Sequence, residues 1–209
     1  MLKPFCNTTL TDISLRKTKK CKSFSQDDFF FSAWEPELKQ VCEKNNVQIF
    51  HRSEKSAKSE GTPMTEMYEW WNKLPYKYCV LINACAPFLK PETIDDFVDT
   101  YVKSDSDGMF GVVEKKNYFW NSQHKIITPL KEAVMNTKTV EVTYEAAHTL
   151  YAGRLDKIGQ GIWMGDFNKP GDIKLFPMKE EEVFDIDYEW QFKLGEQMWR
   201  SRENEVSLL

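Results

Sequence analysis

The chain has 209 residues, 41% of them hydrophobic, and a net charge of −4 from 28 basic and 32 acidic side chains spread along its length. That is enough apolar material for one medium α/β domain, and the dispersed charge argues against a nucleic-acid or anionic-lipid surface. The cysteines, Cys6, Cys21, Cys42, Cys79 and Cys85, are widely spaced without a C-x-x-C pair, which disfavours a disulfide framework or structural zinc and fits reduced thiols in the cytoplasm. No apolar run approaches the roughly 20 residues of a membrane span, and Met1 to Phe5 lacks a signal-peptide core. A soluble cytoplasmic protein with no membrane partner is expected.

Helical and strand patterns alternate along the chain, which predicts a mainly parallel sheet covered by helices. Asn7 to Lys20 reads as a helix with Leu10 and Ile13 inward, and the basic run Arg16 to Lys22 complements its carboxyl end. Phe29 to Ala33 reads as a buried strand, followed by a helix opening near Glu35-Pro36 and a short strand over Val47 to Phe50. Thr62 is placed as the N-cap of a helix whose core face is Met64, Met67, Tyr68 and Trp71. Tyr78 to Ile82 is an uninterrupted apolar run and is predicted to be a central strand buried on both faces. A helix opening at Pro91 carries Ile94, Phe97, Val98 and Tyr101 at helical spacing, and Met109 to Val113 is the next strand. A polar insertion fills Glu114 to Thr139, extended character returns over Val140 to Tyr151, and Gly159 to Gly171 is turn-rich. The last helix is expected to start at an Asp187 N-cap and run to about Arg200, closing a single domain over 1–200 with a polar tail over 201–209.

The segment Phe184-Asp185-Ile186-Asp187 carries two carboxylates one residue apart where a strand meets that helix. On an extended backbone both point to one face, and such a pair suits Mg²⁺, which takes one or two carboxylates with water and substrate phosphate. A helix cap with an exposed companion is the other reading of the same two residues. Arg52, taken by itself, reads as half of a surface pair with Glu54. Asn83, taken by itself, reads as a strand-end turn residue and His148 as a satisfied core histidine. No Ser/His/Asp or Cys/His arrangement supports nucleophilic catalysis.

Taken together and in order, these segments resemble the acylneuraminate and 3-deoxy-manno-octulosonate (KDO) cytidylyltransferase family. Leu81 to Phe88 is similar to the family's L-L-Q-P-T-S-P-L, with Asn83 in the glutamine position. Phe184 to Asp187 followed by Phe192 to Glu196 is similar to D-I-D-x-x-x-D-[FL]-x-x-A-E, and His51-Arg52-Ser53 to the R-R-P after the third strand. Lys3-Pro4-Phe5 with Leu10 resembles the segment after the nucleotide loop, and His148 to Tyr151 resembles N-G-[AS]-[IFL]-Y with His148 in the glycine position.

The resemblance implies a Rossmann-like three-layer nucleotide-diphospho-sugar transferase fold and transfer of CMP from CTP to an acidic sugar or small phosphorylated acceptor, with release of pyrophosphate. It implies that Asp185 and Asp187 hold Mg²⁺, that Arg52, Asn83 and Tyr151 bind nucleotide or substrate, and that the protein is a homodimer. It also exposes a departure. The family's first strand and its A-R-x-G-S-[KR] phosphate loop have no counterpart here, since no glycine precedes Gly61 and Ser32-Ala33-Trp34 stands where the family has S-T-D. An upstream segment of roughly 20 residues, one strand plus a loop, is expected. The 209-residue form is expected to be inactive with CTP and Mg²⁺, or else to be a binding homologue or partner subunit.

Overall fold

The computed structural model describes residues 1–58, 60–129 and 136–207, with 203–207 described by their backbone alone. Part of the polar insertion, 130–135, lies outside the described residues. The first helix, α1 (Leu10–Thr18), is shorter than the apolar pattern suggests because Thr9 caps it, its hydroxyl accepting from the Asp12 N–H at 3.0 Å. Leu10, Ile13 and Leu15 are its buried apolar residues. There follow β1 (Phe30–Ala33), α2 (Pro36–Lys44), β2 (Gln48–His51) and the single turns α3 (Glu54–Ala57) and α4 (Met64–Met67). Proline opens α2, and Leu38 and Cys42 are its buried positions.

The expected helix after Thr62 is corrected. Pro63 holds the cap position with no side-chain cap, while the Thr62 hydroxyl donates to the Lys58 carbonyl at 2.5 Å. Tyr68, at φ −102° and ψ 44°, leaves helical geometry, so the chain tightens into a 3₁₀ turn over Glu69–Asn72. That tightening buries Trp70, whereas Met64, Tyr68 and Trp71 pack beside it half-buried.

The second half supplies β3 (Tyr78–Ile82), α5 (Pro91–Val102), β4 (Gly108–Lys115), β5 (Thr143–Arg154), α6 (Leu155–Ile158), β6 (Ile173–Pro177) and α7 (Glu189–Ser207). The apolar pattern finds β3 and the start of α5 to the residue; it misses β6, which is mostly exposed and broken by Lys174, so it shows neither a continuous run nor an alternation. The strands form a four-stranded sheet in the order β3-β5-β4-β6 and a separate parallel pair, β1-β2. β5 is antiparallel to β3 and β4, and β6 is parallel to β4, so every strand of the larger sheet except β5 runs the same way. The mainly parallel expectation holds in this sense.

On one face of the larger sheet, Ile94, Phe97, Val98 and Tyr101 of α5 meet Met109, Val113, Leu150 and Ala152. On the other, Leu155, Ile158, Trp70 and Trp163 cover Cys79 and Leu81. Helix, sheet and short helices make three layers. A further cluster ties the chain ends together, with Phe5, Leu10 and Ile13 packed on Ile186 and Phe192. Gly195 permits that approach, because a Cβ there would lie 2.9 Å from Ile186 Cδ1. β3 is corrected on two counts: it is the terminal strand of its sheet, and it is only partly buried, with Tyr78 exposed and Cys79 to Ile82 packed against one cluster on each face.

Phe97 is fully buried and its ring meets Phe176 edge-on at 5.2 Å between centroids. Phe97→Ala is expected to lower unfolding free energy by about 3–5 kcal/mol, whereas the exposed Val102→Ala changes it by less than about 0.5 kcal/mol. Urea denaturation of the two variants measures the contrast.

Candidate functional site

A cavity of about 860 Å³ opens between the two sheets, lined by Ser32, Arg52, Asn83, Tyr151, Asp185 and Asp187 among others. All five residues singled out in the sequence, Asp185, Asp187, Arg52, Asn83 and Tyr151, therefore reach one space. Alternation arranges the two carboxylates. Ile186 is buried in the Phe5 cluster and its N–H donates to the Cys85 carbonyl at 3.1 Å, so its neighbours on either side face the cavity.

Asn83 leaves the carboxyl end of β3, and its amide joins separate segments. Nδ2 donates to the His148 carbonyl at 2.9 Å and to Asp185 Oδ2 at 3.1 Å, while Oδ1 accepts from the Cys85 N–H at 2.8 Å. It is at once a turn residue and a cavity residue, so the two readings of it are compatible. Asp185 Oδ1 is buried with no hydrogen-bond partner among the described residues. Burial pushes the Asp185 pKa upward, Asp187 adds to that, and the Asn83 hydrogen bond opposes it.

Asp187 does not act as the cap expected of it. The first carbonyl of α7 to accept is that of Tyr188, from Phe192 N–H, and Gln191 Oε1 reaches back to the N–H groups of Asp187 and Tyr188 at 2.8 and 2.7 Å. With the glutamine doing the capping, the exposed Asp187 carboxylate makes no hydrogen bond or ion pair among the described residues. Arg52 does not pair with Glu54, which binds Lys58 instead; its guanidinium is held by Ser56 through Oγ at 3.1 Å and through the carbonyl. Burial lowers the Arg52 pKa, partly offset by Glu35 and Glu69.

His148 Nδ1 lies 2.8 Å from the Tyr151 hydroxyl, and burial raises the Tyr151 pKa, with Asp185 adding to the effect. His148 has φ 54°, left-handed backbone that glycine adopts at lowest cost. The β4–β5 register jumps there, from Phe110↔Tyr151 to Val112↔Ala146, so a bulge turns His148 toward the cavity. Glu196 is not at the site: it accepts from the Cys6 N–H at 2.9 Å and fixes the turn at the amino end. Leu89 is buried in the α5 cluster.

Sequence reasoning passed over two contributors. Ser32 Oγ is buried in the cavity wall without a partner among the described residues. Lys17, 5% exposed, donates from beneath to the Ala86 carbonyl of the loop after β3. Neither carries a signal beyond its place in the fold, because Lys17 reads as one more cation in a basic helix end.

A family model described as cytidylyltransferase matches residues 1–159, more than half of the chain. The chain belongs to the cytidylyltransferase family. Membership makes it a nucleotidyltransferase by descent, and solved structures show the same fold. One is a CMP:2-keto-3-deoxy-manno-octonic acid synthetase complexed with CTP, at TM-score 0.68 and 8% identity, covering 96% of this chain and 91% of that one. Another is 4-diphosphocytidyl-2C-methyl-D-erythritol synthase from Anaerococcus prevotii, at TM-score 0.65 and 12% identity, covering 94% and 88%. A cytidylyltransferase from Leptospira borgpetersenii aligns at TM-score 0.54 and 12% identity, covering 89% and 73%. No curated protein matches the sequence. No helix among the described residues is long and apolar enough to cross a membrane.

Burial pushes the Lys17 pKa down to about 8 from 10.5. A protonated lysine in that place costs stability, fully below about pH 8, and the cost is relieved as pH rises toward 10.5. The stability of the parent chain relative to Lys17→Met is therefore expected to increase across that window, which chemical denaturation at a series of pH values measures.

Proposed function

We propose that the cavity mouth is a CTP site and that the protein transfers CMP from CTP to an acidic sugar or a related small phosphorylated acceptor. The observation that carries this reading is the carboxylate pair, with Asp185 Oδ1 buried and, among the described residues, lacking a partner beside an uncommitted Asp187. A buried oxygen in that state is suited to a cation. The described residues contain no group of three or more His, Cys, Asp or Glu able to hold a metal, so the chain offers two carboxylates and leaves the other positions to water and phosphate, which fits Mg²⁺. Bound there by Asp185 and Asp187, Mg²⁺ would neutralise charge on the triphosphate.

The remaining work falls to the chain's own groups. Asn83 holds Asp185 in place through its amide, so the carboxylate needs no rearrangement when ligand arrives. Arg52, fixed by Ser56, presents a permanent positive charge to the cavity where phosphate or the cytosine acceptors would lie. The Tyr151 hydroxyl, kept protonated by burial, is available to an acceptor carboxylate alongside His148. Catalysis is then positional and electrostatic, an acceptor oxygen attacking the α-phosphorus as pyrophosphate leaves.

A second reading, binding without turnover, draws on the cavity lining, which includes no glycine among the described residues and hence no close backbone cradle for phosphates. The experiment separates the two. CTP with Mg²⁺ should raise the melting temperature of the chain, and Asp187→Ala should abolish that rise while leaving the ligand-free melting temperature within about 1–2 °C, as for an exposed side chain. Pyrophosphate release on adding KDO, an N-acylneuraminate or a small phosphorylated acceptor marks transfer, and a CTP shift without release marks binding alone. No CTP shift in the parent chain rejects both.

A further inference from the structure

Beneath the loop that carries Asn83 lie two buried charges that the chemistry at the mouth does not use. Glu182 is 2% exposed and stands three residues before Asp185. Its Oε2 accepts from the Lys90 N–H at 3.2 Å and from the Thr93 hydroxyl at 2.6 Å, and its Oε1 lies 3.6 Å from Lys90 Nζ. α5 opens after Lys90, whose side chain has no acceptor with which to cap a helix, so the carboxylate of a distant segment meets the positive end of that helix instead. Lys17 reaches the same loop from α1. It donates to the carbonyl of the fully buried Ala86, with the Glu182 charge acting on its ammonium through space.

These contacts lace two segments together. The loop over 83–90 and the segment over 182–186 meet where Asn83 bonds Asp185, where the Cys85 carbonyl accepts from the Ile186 N–H at 3.1 Å, and where Lys90 bonds Glu182. Asp185 lies between the Glu182 and Ile186 anchors, within roughly 10 Å of Glu182 even on a fully extended chain. A carboxylate whose backbone is fixed on both sides has little freedom to leave Asn83. Packing alone does not account for the two charges, because a buried ion pair can commonly be replaced by apolar side chains of similar volume without loss of stability. What the pair holds is position. Removing either charge leaves the other buried with fewer partners and releases one end of the loop.

We infer that Glu182 and Lys17 are positioning residues for the carboxylate pair: they clamp the two ends of the stretch 86–90 and, through Asn83 and Ile186, hold Asp185 where it can receive a cation. Neither side chain lines the cavity, so each acts through the loop and not on the ligand. The effect on ligand rests on the CTP and Mg²⁺ reading given above; the clamp itself does not.

Hydrogen exchange and a Mg²⁺ titration of the 209-residue chain test it, with Glu182→Gln, Lys17→Met and, as control, Asp95→Asn. Asp95 is also on α5, but among the described residues its hydrogen bonds go to Lys22 and Ser23 and not to the loop. The reporters are the Cys85 N–H, held by Asn83 Oδ1, and the Ile186 N–H, held by the Cys85 carbonyl. In both clamp variants their exchange should quicken about tenfold or more, the size expected of a lost hydrogen bond to a charged group, while Met109 and Ala152 in the middle of the sheet stay within about twofold. The Mg²⁺ concentration that gives half of the CTP-induced rise in melting temperature should increase about tenfold in both, and stay within about twofold in the control. Thr93→Val takes one donor from Glu182 without removing a charge. It should quicken the same two reporters about threefold, and it decides the matter where a charge variant does not fold. Equal quickening at reporters and sheet alike, or at neither, overturns the inference, as does an unchanged Mg²⁺ midpoint in variants whose parent responds to CTP. A parent without any CTP response rejects the nucleotide reading instead, and the exchange result alone then decides the clamp.

Discussion

The side-chain amide of Asn83 is the interaction on which the rest of the site depends. It binds the loop after β3 through Cys85, the bulge of β5 through the His148 carbonyl, and the carboxylate of Asp185 from a segment about a hundred residues away in sequence. None of those groups is positioned by regular secondary structure alone. A planar amide with two donors and an acceptor can hold all of them at once, which an aliphatic or a hydroxyl side chain cannot do.

The geometry around it keeps a tension in the carboxylate pair. Asp185 is pushed toward its neutral form by burial and by Asp187, and the Asn83 hydrogen bond, the Ile186 backbone and His148 oppose this. An arrangement of that kind is poor at stabilising the fold and well suited to receiving a cation, since a positive charge removes both penalties together. The carboxylates and the fixed guanidinium of Arg52 converge on one cavity, where the proposed cytidylyl transfer would take place.

Much of this was legible in the residues. Tyr78 to Ile82 and the helix from Pro91 follow from continuous and helical apolar patterns, and the D-I-D alternation places Ile186 inward and its neighbours outward. What escaped depends on contacts between distant segments. Gln191 takes over the cap that Asp187 was expected to form, a substitution visible only once the chain turns at Tyr188. The edge position of β3 likewise depends on which strands are its neighbours, and the 3₁₀ turn at Glu69–Asn72 replaces a helical face that periodicity alone favours. His148 stands where a glycine belongs in the family pattern, and its left-handed backbone supplies the reason for that glycine.

The union of Cys6 with Glu196, across 190 residues, bears on how the molecule closes. Phe5 packs beside its neighbours Leu10 and Ile13 and has its ring against Phe192 and Trp199, so this cluster is finished only when segments far apart in sequence meet. The segment bearing Asp185 and Asp187 runs directly into that closing helix. Completion of the carboxylate pair is thereby coupled to a long-range closure, whose entropic cost the packed aromatic cluster offsets.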